Sequence, residues 1–216
     1  MNLNQVLNKK NFLRFWQNYN WISSFLALVI FLAIAFLLKT HHLQKFDEHF
    51  LFHLQNIFPK WFFIIARSLY FLGEAEVAVF VVLLSLIILV WKRYWKEAQV
   101  LAASSLTVLL LVDKVLKPFF DRARPLVRLV ENVYGKSFPS GHATGNLLLY
   151  LLLAYFLSTY FPNHKIIFYT IAILLLFLMG ISSSYLRVHW ITDIYAGYCV
   201  GYIMFTISLA ILRTFD

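Results

Sequence analysis

Long apolar runs separated by short polar stretches dominate the chain. The first, Trp21 to Leu38, holds eighteen residues without a charge. A helix needs about 20 apolar residues to cross a hydrocarbon core. Lys9, Lys10 and Arg14 precede it, a flank shared by secretory signals and first membrane helices. Ala33-Ile34-Ala35 has the form of a cleavage site, yet Phe36-Leu37-Leu38 carry the run past it, so a retained helix is expected. Between Lys39 and Lys60 the pattern is mixed. Phe46, Phe50, Leu51 and Leu54 recur at helical spacing with Asp47, Glu48 and His49 between them, which predicts a short helix lying in the interface. Trp61 to Gly73 is apolar but broken by Arg67, and reads as the approach to a second span.

Five further runs follow: Ala75 to Trp91, Ala98 to Leu116, Ala143 to Phe161, Ile166 to Leu186 and Trp190 to Leu212. Lys117 to Pro139 is polar and basic and is expected to be a loop. The predicted fold class is all-α: an integral membrane bundle of six transmembrane helices with a short interfacial helix after the first. Residues 1–20 form an N-terminal cytoplasmic segment, and residues 21–216 one membrane domain. Within it lie a loop at 117–142 and a polar block at 182–193.

Composition strengthens the membrane reading. Of 216 residues 61% are apolar, 19 are basic and 10 acidic, with mean hydropathy +0.72. Soluble domains are nearer 45–50% apolar and about 25% charged, so the bilayer has to serve as part of this chain's solvent. That excludes a soluble enzyme, a disordered tail and a disulfide scaffold; the single Cys199 forms no internal bridge. The net charge of +9 lies between apolar runs, which favours anionic lipid or phosphate over nucleic acid as partner.

Six spans put both termini on one side. With that side cytoplasmic, Lys9, Lys10, Arg14, Lys92, Arg93, Lys96, Lys165 and Arg213 are inside, eight against eleven outside. The count opposes the positive-inside rule. Setting aside Lys114, Lys117, Arg122, Arg124, Arg128, Lys136 and Arg187 as members of a functional site leaves eight against four. The expected location is the cell's inner membrane, with the site facing the extracytoplasmic side.

Three polar clusters then fall on one face. Pro139-Ser140-Gly141-His142 opens a span, so unpaired N–H groups and the positive end of the helix dipole point outward at an anion-sized space; an ordinary Ser140 cap is the plainer alternative. His189 and Asp193 stand four apart, and a carboxylate on one imidazole nitrogen frees the other for attack or proton transfer. The stripe continues through Gly197 and Gly201, small residues that admit a close neighbouring helix. An acid one turn inside a membrane helix is expensive and usually functional. Lys117, Arg122 and Arg124 supply positive charge, Arg as a planar fork and Lys as a point charge. Two histidines, a paired acid, a helix start and several cations are the parts that covalent phosphoryl transfer needs.

Lys117-x6-Arg124-Pro125, Pro139-Ser140-Gly141-His142 and Ser-x6-His189-x3-Asp193, in that order, resemble the three-part signature of the phosphatidic acid phosphatase type 2/haloperoxidase superfamily. The resemblance is strong over the last hundred or so residues. It implies that His189 attacks phosphorus, that Asp193 orients it, and that His142 protonates the leaving lipid oxygen and then activates water. It implies phosphate binding by Lys117, Arg124, Ser140 and Gly141, with no metal or other cofactor. The implied reaction is hydrolysis of a lipid phosphomonoester or diphosphate of the phosphatidic acid, phosphatidylglycerol phosphate or undecaprenyl diphosphate class.

The third block departs from the pattern. Where the family carries arginine, six residues before the histidine, this chain has Ser183. Arg187, one helical turn later, or Arg122 is expected to replace it in part. Two alternatives stay open: a lipid phosphotransferase using the same intermediate, and a weakened lipid-phosphate-binding protein. Elsewhere, Asp113 and Lys117 are spaced to pair, Glu74 and Glu76 to cap a helix, and Asn146 to bond inward one turn below His142. His41, His42, His49 and His53 lie among interfacial aromatics and read as solvated.

Overall fold

The computed structural model describes residues 3–131 and 133–214, with side-chain surroundings given from Trp21 onward. Among the described residues every regular element is helical. Helix α1 (Leu3–Lys39) is followed by α2 (Gln44–Ile57), α3 (Phe62–Leu72), α4 (Ala75–Trp91) and α5 (Trp95–Leu110). A π-helical turn (Leu111–Leu116) joins α5 to α6 (Lys117–Phe120); then come α7 (Gly141–Tyr160), α8 (Lys165–Tyr185) and α9 (Ile191–Thr214). The helix containing the first apolar run thus begins far upstream of Trp21.

Five segments among the described residues are long and apolar enough to cross a membrane: Trp21–Lys39, Trp95–Phe120, Gly141–Tyr160, Pro162–Tyr185 and Ile191–Thr214. Helices α3 and α4, bent by 44° at a short break, make a sixth when taken as one broken span. The expected approach segment at 61–73 is therefore the first limb of that span. The bend falls at Gly73-Glu74, where the Gly73 N–H turns back to Tyr70 O. Glu74 does not cap α4 through its side chain; it pairs with Arg67 instead. The protein is thus a multi-span membrane protein.

Helices α7 and α9 form the centre, with α1, α5 and α8 packed around them. Two glycines explain their close approach. A methyl group on Gly197 would meet Ser140 O at 2.7 Å, and one on Gly201 would meet Thr144 O at 2.6 Å. Only hydrogen at these positions lets the α9 backbone lie against the start of α7. Apolar side chains such as Ile64, Ile87, Trp91 and Ile166 cover the outside, as expected where lipid replaces water as the neighbour.

Two expected boundaries move. The third span continues past Leu116 to Phe120, so Lys117 is helical and the loop begins at Asp121. Helix α2 buries Asp47 with Leu51 and Leu54, while Phe46 is 53% exposed. The buried stripe is set by the 47–51–54 register, and Phe46 lies beside it.

Candidate active site

The site forms at the ends of α7, α8 and α9, roofed by the loop between α6 and α7. Ser140 caps α7, its hydroxyl accepting from Ala143 N at 3.2 Å. Its own N–H donates to Asp193 O at 3.0 Å, which ties the start of α7 to the first turn of α9. Asp193 also accepts from Trp190 N at 3.0 Å, an acid closing back on its helix start as in a capping box.

His189 lies just before α9 and is 0% exposed. Its Nδ1 sits 3.6 Å from Asp193 Oδ2 and 3.3 Å from Ser137 Oγ. Ser137 in turn donates to Asp193 Oδ2 at 2.5 Å. With Nδ1 facing the acid, Nε2 presents its lone pair on the other side, 3.0 Å from Arg124 Nη1. Burial is the largest influence on this imidazole and holds its pKa down to about 4; the Asp193 bond opposes that shift, and Arg124 and Lys117 add to it. A neutral ring with an unprotonated Nε2, here accepting from Arg124, is the form that can attack phosphorus once phosphate takes over that donor. The ring of His142 stands across the space, its centroid 6.3 Å from that of His189, and it rests against Tyr70 at 5.3 Å.

The expected phosphate-binding groups divide. Arg124 donates to Gly135 O at 3.1 Å and Val188 O at 2.9 Å. Among the described residues it has no carboxylate partner. Lys117 pairs with Asp113 at 2.6 Å, the pairing its spacing allows, and its Nζ comes within 3.5 Å of where a Gly141 Cβ would stand. Arg124 therefore stands at His189 Nε2, with His142 across from that ring and Lys117 beside Gly141 at the start of α7.

Arg122 is used differently. Its guanidinium donates to Asp193 Oδ1 at 2.6 Å, Asp47 Oδ2 at 2.5 Å and Thr192 Oγ1 at 2.8 Å. Asp47 is 0% exposed and also accepts from Thr192 N and Thr192 Oγ1. Burial pushes its carboxyl upward, against the pull of Thr192 and Arg122. Arg122 is thus bound between two carboxylates behind the acid, away from the role of a spare phosphate ligand. Arg187 does not share a helical face with Ser183, because α8 ends at Tyr185 and Arg187 adopts a left-handed backbone at φ 57°. Its Nε is buried without a hydrogen-bond partner. Of the two expected substitutes, Arg122 has both terminal nitrogens taken by acids and Thr192, while Arg187 keeps its Nε unpaired.

Sequence reasoning missed Asp47, Ser137 and Tyr70. Asp47 had a signal, since it sits in phase with Leu51 and Leu54 on the buried face of α2.

Comparison with known proteins identifies the family. The model of the PAP2 superfamily matches residues 98–215. Phosphatidylglycerophosphatase B of Bacillus subtilis (strain 168) is 31% identical over 196 residues, covering 87% of this chain and 92% of its own. A lipid A 4'-phosphatase of Porphyromonas gingivalis is 37% identical over 134 residues, 55% of this chain and 54% of its own. The crystal structure of a transmembrane PAP2-type phosphatidylglycerolphosphate phosphatase from Bacillus subtilis superposes with a TM-score of 0.82 at 26% identity, over 89% of this chain and 97% of that one. That of Aquifex aeolicus LpxE gives 0.60 at 25% identity, over 75% and 93%. With the family model spanning more than half its length and a relative aligned along nearly all of it, this chain belongs to the PAP2 superfamily.

Proposed function

We propose that this protein is a membrane lipid phosphatase that hydrolyses a lipid phosphomonoester or diphosphate through a phosphorylated His189. The observation that carries the reading is the orientation of His189. Nδ1 is turned to Asp193 and Ser137, and Nε2 opens beside Arg124 into the space bordered by His142.

In the first step Nε2 attacks phosphorus. The bond from phosphorus to the lipid oxygen breaks, and a proton from His142 goes to that leaving oxygen. Arg124, Lys117 and the first N–H groups of α7 hold the phosphoryl oxygens where charge develops. Asp193 stabilises the imidazole as it gains charge. In the second step water attacks phosphorus, its proton passes to His142, and the bond to Nε2 breaks. Phosphatidylglycerol phosphate heads the candidate substrates, because the relative aligned over most of this chain is named for it. The reading includes a site on the extracytoplasmic face of the inner membrane. A cysteine introduced at Leu126, 94% exposed on the site's loop, would then react with a membrane-impermeant maleimide in intact spheroplasts; protection until lysis would reverse the orientation.

The deciding assay is phosphate release in detergent from phosphatidic acid, phosphatidylglycerol phosphate, undecaprenyl diphosphate and lipid A phosphates, with chelator and with vanadate. Release that resists chelator, yields to vanadate and vanishes in His189→Ala is expected. Wild-type turnover in His189→Ala would refute the covalent route, and phosphoryl appearing on a second lipid would make the protein a transferase.

A further inference from the structure

Below His142 the bundle holds a small space that adjoins the candidate phosphate site through Ser140 and His142. Its walls include Gly73 at the α3–α4 break, His142 and Asn146 on α7, Ser183 on α8 and Tyr198 on α9. About 20 Å³ of it is open to the centre of a water molecule. One water needs roughly 10–15 Å³ on that measure. The space therefore suits a molecule of that size, and an acyl chain or glycerol headgroup is too large for it.

Two side chains within the wall lack partners. Asn146 Oδ1 and Ser183 Oγ are buried without a hydrogen bond, and each residue is 4% exposed. The Asn146 amide is oriented, because its Nδ2 donates to Gly73 O at 2.9 Å; Oδ1 is the end left over. An unmet polar atom in such a place costs about 1–3 kcal/mol. A hydroxylic molecule that donates to Asn146 Oδ1 and shares a hydrogen bond with Ser183 Oγ removes both penalties. Asn146 follows His142 by one helical turn, so the two side chains share a face of α7 and border the same space. Leu176, Met179 and Ile194 give the space an apolar side; of the other polar groups in its wall, Tyr198 Oη donates to Leu176 O and Ser140 Oγ caps α7.

We infer that this space binds the water that acts as acceptor in the second half-reaction, held by Asn146 and Ser183 and presented to His142. The inference rests on the phospho-histidine reading. The bound water gives a proton to the neutral His142 imidazole left by the first step, and its oxygen bonds to phosphorus. The bond from phosphorus to His189 Nε2 breaks with its electron pair returning to nitrogen, and inorganic phosphate leaves. Ser183 is the position where the family pattern calls for arginine, so the chain's departure from that pattern contributes one of the two groups that hold the acceptor.

Rapid-quench kinetics on phosphorus-labelled dihexanoyl phosphatidic acid separate the steps. Release of diacylglycerol reports the first, release of phosphate the second, and labelled enzyme the intermediate. Ser183→Val and Ser183→Thr have nearly the same shape and differ in the hydroxyl; Ser183→Ala removes it without adding bulk. In Ser183→Val and Ser183→Ala, diacylglycerol should appear in a burst at the wild-type rate. Phosphate release should slow about tenfold, the equivalent of one lost hydrogen bond, and labelled enzyme should accumulate. Ser183→Thr should release phosphate at close to the wild-type rate. If valine, alanine and threonine behave alike, or if both steps slow together, the inference fails while the phospho-histidine reading stands. If His189→Ala turns over at the wild-type rate, that reading falls and takes the inference with it.

Discussion

The two sides of His189 handle charge in opposite ways. Behind the ring, Asp193, Ser137, Arg122, Asp47 and Thr192 form a closed set in which each charged group meets an opposite one and both carboxylates are fully buried. In front, Arg124 meets, among the described residues, main-chain carbonyls and Nε2, and the α7 start adds the positive end of a helix dipole. The back is finished without a ligand, while the front holds positive charge that only an anion can balance. The difference separates two jobs that look alike in sequence. Arg122 and Arg124 are two residues apart in one basic loop, yet the first bonds to Asp193 and the second to His189 Nε2.

If that division is right, damage in front should cost rate and damage behind should cost stability. Arg124→Lys keeps the charge but loses the planar fork. Removing a group that holds developing charge typically costs on the order of 100- to 1000-fold in kcat. Steady-state kinetics should show a loss of that order, with Tm within about 2 °C of wild type, an effect below roughly 1 kcal/mol. A large drop in Tm instead would move Arg124 to the structural side. Asp47→Asn should do the reverse, because stripping one partner from a buried ion pair costs about 3–5 kcal/mol. Thermal unfolding in detergent would report it, and activity of the folded fraction should fall by no more than about tenfold.

The pH dependence of stability sharpens the comparison further. His189 is held near 4 in the folded protein and has an ordinary value of about 6.5 when unfolded. Between those values the unfolded chain binds the extra proton, so stability rises with pH through that window. The contribution of the neutral ring is complete above about 6.5 and is lost as pH falls toward 4, on the order of 3 kcal/mol in all. Unfolding midpoints from pH 4 to 7 should show this slope in wild type and a shallower one in His189→Gln. The smallest effect concerns Arg187. Glycine tolerates its left-handed backbone without the steric cost that a side chain carries. Arg187→Gly should therefore stabilise the fold by about 1 kcal/mol. If the free Nε serves phosphate, turnover should drop at the same time; unchanged turnover would remove Arg187 from the site.

The spans were legible because a helix in lipid must be apolar over most of its length, and the run 75–91 carries a single charge, at its first turn, while 143–160 carries none. The convergence of 117–124, 139–142 and 182–193 was legible because the six-span count puts all three at the same end. Asp47 was harder. It lies among Glu48 and His49 in a short amphipathic stretch, and Phe46 beside it suggested a buried face one residue out of register. Its partner is 75 residues away, a separation that local pattern does not encode. The fates of Arg122 and Arg124 were equally hidden, since both depend on which acids the folded chain brings near the loop. The helical-face argument for Arg187 failed because α8 stops two residues earlier.

Gly197 and Gly201 have a consequence that reaches beyond packing. They let two backbones touch, so main chain sets the base distance on which the calibration of the two imidazoles rests. The loop over the mouth then trims the His189 ring through Ser137 and Arg124. A single added methyl on either glycine would upset that calibration without altering any group that meets the substrate.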